Sequence, residues 1–117
     1  MGLWIDTDMG FDDLAAVLIV IHAGKRIDGM SLIAGNSPLE RVRINAASAA
    51  RQFGWGFKIY TGRETAVMGG LETAERILGP LCMPSIGAHL PAVRPVAESS
   101  ASDGICQSLV GHCCTDA

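Results

Sequence analysis

Short apolar runs separated by longer stretches of helical spacing set the pattern of this chain. Leu3, Trp4 and Ile5 place an aromatic and a branched residue in a run suited to the end of a buried parallel strand. Residues 14–24 are apolar almost throughout, so a buried strand competes with a helix there. Eleven positions, two early alanines, acidic residues just before them and a terminal glycine favour the helix. A second strand is predicted over 27–33, ending in the turn Ala34-Gly35-Asn36-Ser37-Pro38. Over 39–53, Leu39, Val42, Ala46, Ala49, Ala50 and Phe53 recur three or four residues apart, with Arg41, Arg43, Arg51 and Gln52 as polar surface. That is an amphipathic helix, and Ser37 or Pro38 suits its start. Asn45 interrupts it and is expected to satisfy a buried backbone group rather than to take part in chemistry.

Gly54-Trp55-Gly56 turns the chain into a third short strand, 57–60. Two strand-helix-strand units predict an α/β fold with an open parallel sheet, flanking helices and right-handed crossovers. Further on, Gly69, Gly70, Gly79, Pro80, Pro84, Gly87, Pro91 and Pro95 interrupt the pattern. Residues 64–102 therefore read as an irregular excursion or lid, with short helices over 71–78 and 103–112. The whole of 1–117 is expected to form a single, partial α/β domain. Three short strands leave sheet edge and apolar face open unless something else covers them.

Bulk properties narrow the functional classes. Nine Lys and Arg against twelve Asp and Glu give a formal charge of −3, with no basic stripe, so nucleic acid is not an expected partner. The longest apolar run, 14–21, is too short to span a membrane, and the amino terminus lacks a signal-peptide pattern, so a cytoplasmic location is the expectation. Cys82, Cys106, Cys113 and Cys114 have neither disulfide-framework nor zinc-site spacing and are read as thiols.

The chemistry lies in Asp6-Thr7-Asp8-Met9-Gly10-Phe11-Asp12-Asp13. Four carboxylates crowded into one turn repel one another unless a cation or amide donors compensate. Gly10 permits a sharp turn, so the carboxylates are expected at the C-terminal edge of the first strand, where open parallel sheets bind ligands. Asp12 or Asp13 is placed to cap the following helix. Oxygen donors without nearby sulfur favour calcium or magnesium over zinc. Spacing alone also accommodates a plainer role, capping plus solvated turn carboxylates. His22, carried away from the carboxylates by its helix, is read as structural.

These residues resemble the inosine-uridine-preferring nucleoside hydrolase family, whose amino-terminal pattern is Asp-x-Asp-Pro-Gly-x-Asp-Asp. Ile33-Ala34-Gly35-Asn36 resembles its second loop, and the run from Leu39 to Ala46 the helix beyond. The resemblance implies the Rossmann-like N-terminal part of that fold, bound calcium, and cleavage of the N-glycosidic bond of ribonucleosides to base and ribose. It implies Asp8 as calcium ligand and general base, Asp13 as calcium ligand, Asp12 as ribose contact, Asn36 as a residue orienting the sugar, and Asp6 in support. Homo-oligomers are common in the family, so self-association is expected. Met9 stands where the family has proline, which relaxes the turn without removing a ligand. The family's later site residues, among them a distant aspartate, have no match here, so a truncated, noncatalytic calcium- or nucleoside-binding fragment is the alternative. A second alternative is a haloacid-dehalogenase-like phosphohydrolase with Asp6 as nucleophile, which a covalent aspartyl phosphate at Asp6 would establish; Gly10 and the Gly35-Asn36 loop fit it poorly.

Overall fold

The structure is a computed structural model that describes residues 1–65, 70, 72–83, 89–97 and 100–113, with side chains described through residue 109. Parts of the expected excursion over 64–102 therefore lie outside the described residues, as do Cys114 and the side chains of His112 and Cys113.

Strand β1 (Leu3–Thr7) is followed by helix α1 (Phe11–His22), strand β2 (Ile27–Leu32), helix α2 (Leu39–Phe53) and strand β3 (Ile59–Thr61). All three strands are parallel, in the order β1-β2-β3, with Ile5 opposite Met30 and Met30 opposite Ile59. Val17 of α1 and Val42, Ala46 and Ala49 of α2 share one buried cluster with Met9 and with Met30 and Leu32 of β2. Both crossover helices thus cover the same face of the sheet, as consecutive right-handed units with this strand order must.

The opposite face is built from Trp4, Gly29, Ser31 and Tyr60. Trp4 stacks on Tyr60 with ring centroids 5.6 Å apart and lies directly over Gly29, where a Cβ would strike its ring. A later helix, α4 (Ala101–Cys113), crosses β2 and β3 on this side, with Gly104 so near Tyr60 that a Cβ there would be 2.7 Å from the ring. Helix α3 (Glu75–Leu78) is a single short turn. Thr61, the last residue of β3, forms an isolated parallel bridge with Ser100. Among the described residues β1 pairs only with β2, and its first residue, Leu3, is 44% exposed.

Helix α2 occupies the expected 39–53, but α1 begins three residues ahead of the expected 14–24. Gly10 is extended (φ −71°, ψ 176°) and serves as N-cap, and Phe11 in the first turn is 59% exposed. An apolar residue facing solvent hides the helix start from a reading based on buried periodicity. The third strand is 59–61 rather than 57–60, because Phe57 stacks on Trp55 and pairing begins only where Ile59 meets Met30. The helices expected at 71–78 and 103–112 are α3 and α4, the first shorter and the second longer than expected. Among the described residues no helix is long and apolar enough to cross a membrane.

Candidate functional site

The C-terminal ends of β1 and β2 deliver the acidic turn and the Gly35-Asn36 turn to one place. The amide of Ile33 donates to the Thr7 carbonyl at 3.0 Å, carrying the pairing to the very end of both strands. Immediately beyond, the backbone N–H of Asn36 donates to Oδ2 of Asp8 at 2.6 Å. Gly35 lies against the same carboxylate so tightly that a Cβ would collide with Asp8 Oδ2. Glycine is required at 35 by this close approach, since Asp8 fills the space a side chain needs.

Asp13, in the first turn of α1, faces Asp8 across the turn. Its Oδ2 accepts from the Thr7 hydroxyl at 2.8 Å and from the Gly10 amide at 3.4 Å. Neither Asp12 nor Asp13 is the N-cap that the sequence predicts: the helix starts earlier, Gly10 holds that position, and Asp13, one turn in, reaches back to the Gly10 amide. Burial raises the Asp13 carboxyl above its ordinary 3.8, and a hydrogen bond with Asp8 and the Asp8 charge push the same way; Thr7 and Gly10 pull against them. Two carboxylates in contact resist sharing full ionisation, which is the electrostatic signature of a place that favours a cation. Asp12 is exposed at the rim, its Oδ1 near Gly10: a Cβ at Gly10 would stand 2.8 Å from it and 3.7 Å from Asp8 Oδ1.

Met9 closes the turn from below. It is fully buried in the core and holds a left-handed backbone (φ 48°), a conformation that proline cannot take. Its amide donates to Thr7 Oγ1 at 2.9 Å, and its carbonyl receives Asn45 Nδ2 at 3.5 Å. Asn45 also donates to the Leu81 carbonyl at 3.2 Å, so it satisfies buried backbone groups as its place in α2 predicts. The Asn36 carbonyl accepts from the Ala74 amide at 2.7 Å, tying the later segment to the same loop.

Asp6 stands apart from this group. Its Oδ1 accepts from the Ser31 hydroxyl, which in turn accepts from Trp4 Nε1 at 3.1 Å, on the α4 side of the sheet. The structure thus brings Asp8, Asp13 and the Asn36 backbone together, sets Asp12 at the rim and separates Asp6. The residue that sequence reading passed over is Thr7, 3% exposed; only its place between two aspartates signals it. An open pocket of about 170 Å³ at the other end of the strands, lined by Ile27, Phe53, Trp55 and Phe57 among others, has no acidic side chain in its wall.

Hard, anionic oxygens opposing one another fit a hard divalent cation in type. In number they are a start: among the described residues no three His, Cys, Asp or Glu side chains cluster as a metal site, and Asp8 with Asp13 makes a pair.

Comparison with known proteins places the chain. Solved structures that share its fold include an inosine-guanosine nucleoside hydrolase (TM-score 0.76, 19% identity), a purine-preferring ribonucleoside hydrolase from Gardnerella vaginalis (0.72, 24%) and a plant nucleoside hydrolase (0.70, 23%). Each match covers 92% of this chain and 34%, 35% and 35% of theirs respectively, so the chain spans about a third of their length. No curated protein sequence gives a significant match. The family model described as inosine-uridine preferring nucleoside hydrolase matches residues 3–113, nearly the whole sequence, and the chain belongs to that family.

Proposed function

We propose that this chain carries the sugar-gripping part of a calcium-dependent hydrolase that splits ribonucleosides into base and ribose. The observation that supports the reading most is the opposed pair Asp8 and Asp13 at the strand ends, with Asp8 fastened to the second loop by the Asn36 amide. Asp8 and Asp13 would hold the ion. Calcium takes about six to eight oxygen ligands, so two carboxylates leave coordination positions for water and sugar hydroxyls. When bound it supplies positive charge that offsets the two carboxylates and orients the oxygens around it.

The remaining chemistry belongs to the chain. Asp8, with Oδ2 engaged by Asn36, takes the proton of the attacking water through its other oxygen. The water oxygen bonds to the anomeric carbon, the carbon–nitrogen bond breaks, and its electron pair leaves with the base. Asp12, exposed at the rim, accepts from a ribose hydroxyl, and Asn36, exposed in the second turn, orients the sugar. Holding water and sugar in fixed relation removes much of the entropic part of the barrier.

Base release from inosine and from uridine, followed chromatographically with calcium and with chelator, tests the reading. Release that requires calcium and disappears in Asp8→Ala supports it. Folded, calcium-loaded protein that releases no base from either nucleoside contradicts it; nucleoside binding without turnover would instead favour a noncatalytic binding module.

A further inference from the structure

We infer that Thr7 is a positioning residue whose hydroxyl fixes the orientation of the Asp13 carboxylate toward the cation. The inference rests on the proposed calcium site and adds to it a residue that touches neither ion nor substrate.

A threonine hydroxyl has one proton to give. Thr7 Oγ1 accepts from the Met9 amide at 2.9 Å, inside the buried base of the turn, and lies 2.8 Å from Asp13 Oδ2. The carboxylate is an acceptor, so the single hydroxyl proton is directed at Oδ2. With Thr7 3% exposed, water is not at hand to replace either bond. Oδ2 is therefore held from behind by Thr7 and the Gly10 amide. The carboxylate plane is set by these bonds, which leave Oδ1 as the oxygen that neither Thr7 nor Gly10 engages. The chain from the Met9 amide through Thr7 to Asp13 joins the hydrophobic core to the first turn of α1, so the carboxylate is oriented before any cation arrives.

Such supporting bonds typically govern metal affinity by about 10- to 100-fold. The test is terbium luminescence titration, terbium serving as the calcium probe, of wild type, Thr7→Val and Thr7→Ser, with circular dichroism to verify folding. Thr7→Val keeps the shape and removes the hydroxyl; Thr7→Ser keeps the hydroxyl. Affinity at least about tenfold weaker in Thr7→Val and restored to within about threefold of wild type in Thr7→Ser supports the inference. Rescue by serine separates orientation of the ligand from packing, because serine keeps the hydroxyl while losing the methyl group that valine retains. Equal affinity of Thr7→Val and wild type overturns it, as does a Thr7→Ser variant as weak as Thr7→Val. Should Thr7→Val not fold, Thr7→Cys, a poor donor of similar volume, is measured instead, with wild-type affinity again overturning the inference. Wild type that binds no terbium or calcium overturns the proposed site itself, and the inference with it.

Discussion

The backbone amide of Asn36 donates to Asp8 Oδ2 across 2.6 Å, joining the turns that follow the first two strands. An amide held by its own loop is a preoriented donor, and it fixes one oxygen of the residue proposed to take a proton from water. The contact depends on Gly35, because any side chain there would occupy the space of the Asp8 carboxylate. Gly35→Ala should therefore displace Asp8, weakening calcium binding about tenfold or more and costing about 1–3 kcal/mol of stability by overpacking. Calcium titration and denaturant unfolding of the variant measure the two effects; wild-type values in both would show that the loops tolerate separation.

Asp13→Asn should act oppositely on the metal-free fold and on cation binding. The amide retains an oxygen for the Thr7 and Gly10 donors but loses the charge that opposes Asp8. In chelator near neutral pH the variant should melt higher than wild type, by about 2 °C, an effect kept small by solvent screening. A lower melting temperature would mean that the two carboxylates do not oppose each other.

The pH dependence follows from the direction of the Asp13 shift. Its carboxyl is raised above 3.8 in the folded chain, so the fold binds this proton more tightly than the unfolded chain does. The resulting stabilisation is fully present below the ordinary carboxylate value and is lost as pH rises through the higher folded value. In chelator, the stability difference between wild type and Asp13→Asn should widen in the variant's favour on going from about pH 4 to about pH 7. Urea unfolding across that range checks it, and a difference that narrows with rising pH would reverse the assignment.

On the other face of the sheet, Gly104 makes room for Tyr60 beneath α4. Gly104→Val should push that helix from the sheet and destabilise by about 1–3 kcal/mol, with a change in near-ultraviolet dichroism from the Trp4–Tyr60 stack. An unaltered aromatic signal would indicate that α4 does not press on this pair.

Much of this arrangement was legible in the sequence because burial imposes period. The spacing of Leu39, Val42, Ala46 and Ala49 marks α2 to the residue, and the apolar run before Asp6 together with Gly35-Asn36 after β2 points to two loops meeting at one sheet edge. Other features carry no periodic signal. Phe11 faces solvent, so the start of α1 is displaced in a reading from pattern. Spacing alone would put Asp6 and Asp8 on one face of a regular strand, yet the first is engaged by Ser31 across the sheet while the second has already left the strand. Met9 adopts a positive φ that its side-chain type does not advertise, and the bond it makes to Thr7 depends on that turn.

Isothermal titration of calcium into wild type, Asp8→Asn and Asp13→Asn addresses the opposed carboxylates most directly. One saturable ion per wild-type chain, with binding lost in both variants, is the predicted result. Folded wild type with no saturable heat, or variants that bind calcium as wild type does, would contradict a cation held between Asp8 and Asp13.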